Sequence, residues 1–501
     1  MPERWPGPNR SRRGSDAVFA PLARSGPRAS ATARALVALA LAAAGSGAEG
    51  CVRYVARPIA PERTAAALEA RRLSDPALTA FLRAGDSSRA APPAAWTLPS
   101  LTVAALYFNP DLAVARADLG LARSEVIAAG ARPNPTLDAD VAAITHGGTK
   151  SPSVLSAVLG VPFLTAGRRG IRIAEAEAAS RAQRLRVEGA AWAVRAAVRD
   201  AALAWWSASE GVGLSLQATG GESALVTMLQ RRLAAGESSA LDVGREAIAL
   251  NRARAALRGD EMRLSAARVQ LAAAVGVPVE ALDSARLDLD AFGGSLPAPP
   301  SDVAAHASAL LERSDIRAAL ADYAASEAAL RLEVARQYPN LTLSPGLHWE
   351  AELKGLTIAP SIVLPILNRN RGPIAVAAAG RDAAAARFTR LQATALAAVD
   401  QALAEYAASL RALASADSAA LGQRALAERT ETLFRAGEVD RVALVSAQVA
   451  AVATGQEQLA ARTQAWTALS ALESATQRPL VGAGWTVPAA ALDTLPEAAI
   501  R

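Results

Sequence analysis

The sequence predicts a mainly α-helical protein with a small β part, built as an internal tandem duplication. Three observations predict it. A seven-residue stretch occurs twice, as ARPNPTL at 131–137 and ARQYPNL at 335–341, 204 positions apart, and Leu106, Asp111 and Asp118 recur at Leu310, Asp315 and Asp322 with the same offset. Matches held in register over that distance mark a duplication. Residues 167–235 and 374–436 contain no proline, so each can form one helix of roughly 90–100 Å at a rise of about 1.5 Å per residue. Between the repeated stretch and each long run, the apolar residues alternate, as they do in strands with one apolar face.

The elements follow in order. Residues 1–50 read as a leader: Arg24, Arg28 and Arg34 precede the apolar run 35–44, and small residues lead to the single cysteine, Cys51. Ten apolar residues are too few to span a bilayer. Cys51 reads as the lipidated first residue after cleavage, and a lone cysteine cannot form an intramolecular disulfide. Residues 51–100 are a Pro-, Ala- and Arg-rich arm with a short helix around 64–73. The first repeat, 101–276, opens with a helix over 101–132, whose first turn Asn109-Pro110 can break, with Asp111 at the new start. Pro135, like Pro339 in the second repeat, marks the switch from helix to strand, because proline lacks the amide donor and clashes with the preceding turn.

The hairpin strands come next. Leu137, Ala139, Val141 and Ala143 oppose Thr136, Asp138 and Asp140; Leu155, Ala157, Leu159 and Val161 oppose Ser156 and Gly160. In the second repeat, 302–477, Leu341, Leu343, Pro345, Leu347 and Trp349 share one face, and Leu356, Ile358, Pro360, Ile362 and Leu364 share another. Strands of about 9–11 residues suit a tilted membrane crossing. Four strands cannot close a barrel and open edges are not tolerated in lipid, so several copies must share one barrel.

Each long helix ends at a similar break, Leu233-Ala234-Ala235-Gly236-Glu237 and Phe434-Arg435-Ala436-Gly437-Glu438. Gly236 and Gly437 are placed as left-handed helix caps. Returning helices over 240–275 and 440–476 are shorter, as are the helices before the hairpins, 101–132 and 302–336. One of each stacked end to end matches the long helix beside it, which predicts a long helical cylinder. Leu396, Val399, Leu403, Tyr406, Leu410 and Leu413 keep the 3,4 spacing of a coiled-coil seam. Phe388, Leu391, Ala395, Ala398 and Ala402 draw a second stripe beside it, as for a helix with two neighbours. Residues 277–301 read as a linker, with Gly293-Gly294, Pro297, Pro299 and Pro300, and residues 478–501 as a C-terminal tail.

Charge and chemistry exclude other classes. The formal charge of +6 is concentrated in residues 1–34, which hold seven Arg against Glu3 and Asp16; from Cys51 onward the balance is 46 basic to 44 acidic. No basic patch with interleaved aromatics follows, which argues against a nucleic-acid partner. The three histidines, His146, His306 and His348, lack paired metal-ligand spacing, and no nucleophile elbow or phosphate-cradling loop stands out. The reading is therefore no enzyme, no cofactor and no resident metal.

Asn109-Pro110-Asp111-Leu112, ARPNPTL, Ser314-Asp315-Ile316-Arg317, ARQYPNL and the run LPILNRNRG at 364–372 together resemble the TolC-like outer-membrane efflux proteins. The resemblance covers about 101–477 in order. It implies a homotrimer whose chains share a twelve-stranded barrel in the outer membrane and a helical tunnel through the periplasm. Cys51 resembles the lipoprotein branch serving resistance-nodulation-division pumps. The implied function is the exit duct of a tripartite efflux system for drugs or metal ions, with a periplasmic adaptor, an inner-membrane pump and outer-membrane lipid as partners. A type I secretion component shares this architecture and stays open. So does a periplasmic coiled-coil scaffold or adaptor, which leaves the strands unexplained. The resemblance places adaptor docking and the gated entrance at the two breaks: Leu233, Ala235, Gly236, Glu237 and Leu241 in one, Phe434, Ala436, Gly437, Glu438 and Val442 in the other.

Overall fold

The computed structural model describes residues 54–85, 93–143, 153–350 and 353–481; the leader 1–50, Cys51 and His146 lie outside them. The chain divides into two compact units, residues 1–64 and 65–501. In the first, residues 54–60 are extended, and helix α1, Pro61–Glu69, begins at its end with the Thr64 hydroxyl donating to the Pro61 carbonyl over 2.9 Å. The sequence places that helix a few residues later and misses α2, Pro76–Gly85, because alanine-rich polar sequence carries little periodicity.

In the second unit the same series of elements occurs twice. The first is α3 Leu98–Phe108, α4 Pro110–Gly130, β1 Thr136–Ala143, β2 Ser153–Phe163, α5 Arg168–Ala234 and α6 Ala240–Val275. A short helix α7, Val279–Asp283, and a 3-10 turn, Asp290–Gly293, lead to the second: α8 Asp302–Leu311, α9 Ser314–Ala335, β3 Leu341–Glu350, β4 Leu353–Ile362, α10 Arg371–Arg435 and α11 Arg441–Thr476. Asn109 ends α3 and caps α4, its side-chain oxygen accepting from the amides of Asp111 at 2.9 Å and Leu112 at 3.3 Å, with Pro110 in the first turn. That satisfies two of the donors a helix start leaves open. α5 runs 67 residues and α10 65.

Four expectations need correction. The single helix expected over 302–336 is two, α8 and α9, broken at Glu312-Arg313. Arg313 turns extended, pairs with Asp315 at 2.7 Å and donates to the Ala475 carbonyl of α11. The fourth strand, whose alternation reads over 356–364, is Leu353–Ile362, so Leu364 lies beyond it. The helices stop at Gly130 and Ala335, several residues before Pro135 and Pro339, which sit in the extended lead-in to β1 and β3. Residues 277–301 are more than a connector: Ala281, Leu282, Leu289 and Phe292 are buried, and residues 286–288 pair in parallel with Trp96.

Long and short helices alternate as columns. α5 packs against α4 and α9 in its upper part and against α6 and α11 in its lower part, while α10 packs against α9 above and α11 below. α6 meets α3 and α4 end to end: Gly276, at φ +84°, lies where a Cβ would be 2.8 Å from the Phe108 carbonyl. Only glycine fits that approach. α11 meets α8 and α9 likewise, the Ser314 amide donating to Gln477 over 2.7 Å. The sheet has the order β1-β2-β3-β4, all antiparallel. Every layer therefore ends in α4, α6 and β1 at one edge and in α10 and β4 at the other.

The core lies where the columns are spliced. Leu101, Leu106, Val198, Trp206, Leu271, Val399, Tyr406, Trp466 and Leu472 belong to it. Phe292 packs edge-on against Trp466, whose indole N–H donates to the Phe292 carbonyl over 2.7 Å. The Tyr406 hydroxyl donates to the Pro297 carbonyl over 2.6 Å.

Candidate functional site

The two breaks predicted to carry function are adjacent helical tips of the same construction. Gly236 and Gly437 both have φ +77°. At the first, the Gly236 amide donates to Leu233 over 3.0 Å and the Glu237 amide to Arg232 over 2.8 Å; at the second, Gly437 donates to Phe434 and Glu438 to Leu433, both over 3.0 Å. These two bonds per tip are the Schellman cap, which satisfies carbonyls a helix end leaves open and requires a left-handed residue. No atom lies within 4 Å of a Cβ built on either glycine, so what demands glycine is backbone conformation, not space.

The chain then re-enters a helix through an acidic cap. Ser239 and Asp242 form a reciprocal box at the start of α6, the Asp242 amide donating to Ser239 Oγ over 3.1 Å. At the start of α11, Asp440 accepts from the Ala443 amide over 2.8 Å. Asp440 also receives the Arg232 guanidinium at 2.6 Å, an ion pair joining the two tips. The Ala443 amide first, then Arg232, holds the Asp440 carboxyl below its usual range.

Leu241 is 62% exposed, Ala235, Glu237, Ala436 and Glu438 are exposed, and Phe434 and Val442 are half-buried. The sites therefore lie open around the caps. Sequence reasoning missed Arg232, one residue outside the first break, and the carboxyl pair of Glu222 on α5 and Glu246 on α6. Burial first, then the hydrogen bond to Glu246 and its charge, pushes the Glu222 carboxyl up to about 7. Neither had a local signal, since each partner lies on a different helix.

His306 pairs with Asp400 at 2.7 Å between α8 and α10, both partly exposed. His348 packs over Gly355 on the next strand. Among the described residues no three His, Cys, Asp or Glu side chains converge to hold a metal ion. No described helix is long and apolar enough to cross a membrane. On the sheet, the rows Leu341–Ile362, Leu343–Pro360, Pro345–Ile358 and Leu347–Leu356 put apolar pairs on one face, and Thr342–Ser361, Gly346–Thr357 and His348–Gly355 lie on the other.

Residues 101–277 and 306–477 match the family described as outer membrane efflux protein. The cobalt-zinc-cadmium resistance protein CzcC of Cupriavidus metallidurans is 28% identical over 284 residues, which are 55% of this chain and 64% of that relative. This chain thus aligns with less than two thirds of CzcC. Among solved structures, the outer-membrane channel OprN superposes with a TM-score of 0.64 at 21% identity, covering 86% of this chain and 99% of OprN. The open state of the MtrE outer membrane channel of Neisseria gonorrhoeae gives 0.62 at 19% identity, over 76% and 89%. These likenesses establish the fold.

Proposed function

This chain belongs to the outer membrane efflux protein family, and from that premise we propose that it is the exit duct of a tripartite efflux system, assembled as a homotrimer and acting by conduction rather than catalysis. The observation that carries the reading is the pair of unfinished edges. At one edge, β1 has a free side and Val114, Leu121 and Ile127 of α4 are exposed. Below them Leu241, Ile248, Met262 and Val269 of α6 are all more than half exposed. With the exposed Ala255 these recur every seven residues, a coiled-coil seam on which no described helix packs. At the other edge Leu356, Ile358 and Ile362 of β4 and Val376, Leu421 and Leu426 of α10 are exposed. Two unlike edges on one chain close only by head-to-tail rotation into a ring. Three copies, the number the family resemblance implies, supply twelve strands.

The apolar sheet face suits lipid and the polar face a wet lumen. The 204-residue register of Pro110 and Ser314, at the starts of α4 and α9, supports the tandem duplication. The repeats we propose are 101–276 and 302–477, between an arm and a tail. Lipidation at Cys51 adds a second anchor, which mass spectrometry of the mature N-terminus tests. The tips then lie at the periplasmic end, where the adaptor and pump engage, with Gly236 and Gly437 at the docking surface and the Arg232–Asp440 pair across the entrance. The resemblance to CzcC favours divalent metal ions as cargo.

Light scattering of the protein extracted from outer membranes should give a trimer; a stable monomer with folded hairpins refutes the shared barrel. Deleting the gene should sensitise the host to cobalt, zinc or cadmium, whereas unchanged tolerance refutes the cargo assignment.

A further inference from the structure

The junctions between helix and strand all lie at one end of the sheet, where β1 and β3 start and β2 and β4 finish. Their residues, 131–135, 164–172, 336–340 and 363–371, include no aspartate, glutamate or lysine. They do include Arg132, then Arg168, Arg169 and Arg172, then Arg336, then Arg369 and Arg371. Among the described residues, only Arg336 of these has a carboxylate within ion-pair reach, Glu333 one turn back on α9.

The placement runs against helix stability. α4, α6, α8 and α9 each carry an aspartate in the first turn, where the positive end of the helix dipole favours negative charge. α5 and α10, the two helices that leave the sheet, have no acid there and begin on arginine. Hydrogen bonds account for part of this. Arg168 donates to the Ala335 carbonyl over 3.2 Å, Arg169 to Gly130 over 2.7 Å and Arg172 to Ala131 over 3.3 Å, at the ends of α9 and α4. Those acceptors are neutral, so the positive charge stays unbalanced. Burial first, then the charge of Arg336, lowers the Arg168 pKa. Arg172 Nε is buried with no partner, while Arg132, Arg169, Arg336, Arg369 and Arg371 are exposed.

An apolar band borders the arginines. Leu137, Tyr338, Val363, Leu364, Ile366 and Leu367 are each more than half exposed. Apolar residues and a tyrosine beside long cationic side chains are the pattern of a membrane–water boundary. We propose that this arginine belt docks anionic phospholipids of the periplasmic leaflet, with their phosphates on the guanidinium groups and their acyl chains along the apolar band. The proposal rests on the exit-duct reading, which sets the junctions at that leaflet. Arginine suits the task, because its planar fork meets two phosphate oxygens at once and its charge persists at every physiological pH. A choline headgroup cancels its own phosphate, so the belt discriminates by net headgroup charge. Each arginine engaged favours an anionic lipid about fivefold.

The test is native mass spectrometry of the protein extracted from outer membranes, with phosphatidylglycerol and phosphatidylcholine of the same acyl chains in competition. The wild type should retain phosphatidylglycerol about tenfold or more over phosphatidylcholine, and the preference should shrink as ionic strength rises. Arg169→Gln with Arg336→Gln, on the columns away from both subunit edges, should reduce it about fivefold or more. Arg411→Gln with Arg429→Gln, which removes equal charge from exposed positions lower on α10, should leave it unchanged. Equal retention of the two lipids by the wild type, no loss in the belt variant, or the same loss in both double variants overturns the proposal. So does displacement of the lipid by millimolar inorganic phosphate, which would make the belt a site for free anions. Lipids are counted per chain, so a monomer in the same spectra would refute the shared barrel and leave the lipid preference to decide the belt.

Discussion

Replacing Glu473 with glutamine should be the most damaging conservative change in the helical body. Glu473 is 1% exposed on α11, and its Oε2 takes guanidinium hydrogen bonds from Arg195 at 2.7 Å and from Arg199. Its Oε1 accepts from the amides of Leu480 at 2.6 Å and Val481 at 3.0 Å, tying down the chain after α11. Arg199 is 5% exposed, and its burial already lowers its pKa against the opposing pull of Glu473. Glutamine keeps an oxygen for the two amides but removes the charge, leaving Arg199 buried with Asp200 at 3.8 Å as its remaining carboxylate. Removing one member of a buried pair costs about 3–5 kcal/mol, because the other charge stays desolvated. The assay is the urea midpoint at 222 nm of Glu473→Gln, Arg199→Met and the double variant. The double should lie well above the sum of the singles, with coupling of about 2 kcal/mol or more. A loss below about 1 kcal/mol for Glu473→Gln, or simple additivity, refutes the argument that the pair is desolvated and interdependent.

Three further outcomes are expected. Gly437→Trp forces a bulky residue to φ +77° at about 1–2 kcal/mol; trimers should still assemble, but pump-dependent resistance and cross-linking to the adaptor should vanish, and their persistence would move the docking surface elsewhere. Glu222, with its carboxyl pushed up to about 7, keeps a proton in the folded chain that the unfolded chain releases near about 4.3. Its contribution is therefore complete below that value and is lost as pH rises through about 7, so tip amides, once corrected for the intrinsic pH dependence of exchange, should be better protected at pH 5.5 than at pH 8.5, and Glu222→Gln should flatten the difference in protection. Met262→Glu on the exposed α6 seam should leave helix content unchanged yet shift light scattering from trimer toward monomer; an intact trimer would mean the seam is not an interface.

Much of the architecture was legible because its causes are local. Alternation in 341–349 gives a strand whatever surrounds it, and a proline-free run gives a helix wherever it packs. The break at Arg313 was not legible locally, since Leu-Glu-Arg-Ser-Asp holds neither glycine nor proline; α11 makes it, through Ala475 and Gln477. One signal was available: Arg313 lies 204 residues after Asn109, the cap that splits the first helix. The role of 277–301 was hidden for the same reason, because Phe292 is buried by Trp206 and Trp466 from distant helices. At the tips, the glycine caps are written in five residues each, while Arg232 and Asp440 are 208 positions apart and meet only once the columns have packed.

The alternation of continuous and spliced columns also decides where such a chain can change length. α5 and α10 pass the level where α6 meets α3 and α4, and where α11 meets α8 and α9, without interruption. Extra residues inside either long helix must be matched turn for turn in the column alongside, or every contact beyond the insertion slips around the helix. At the splices no such bookkeeping applies, because one helix has ended and the next has not begun. Residues 277–301 already occupy that level as inserted material. Divergence in length should gather there and at the hairpin turns, while the distance from splice to tip is inherited almost unaltered.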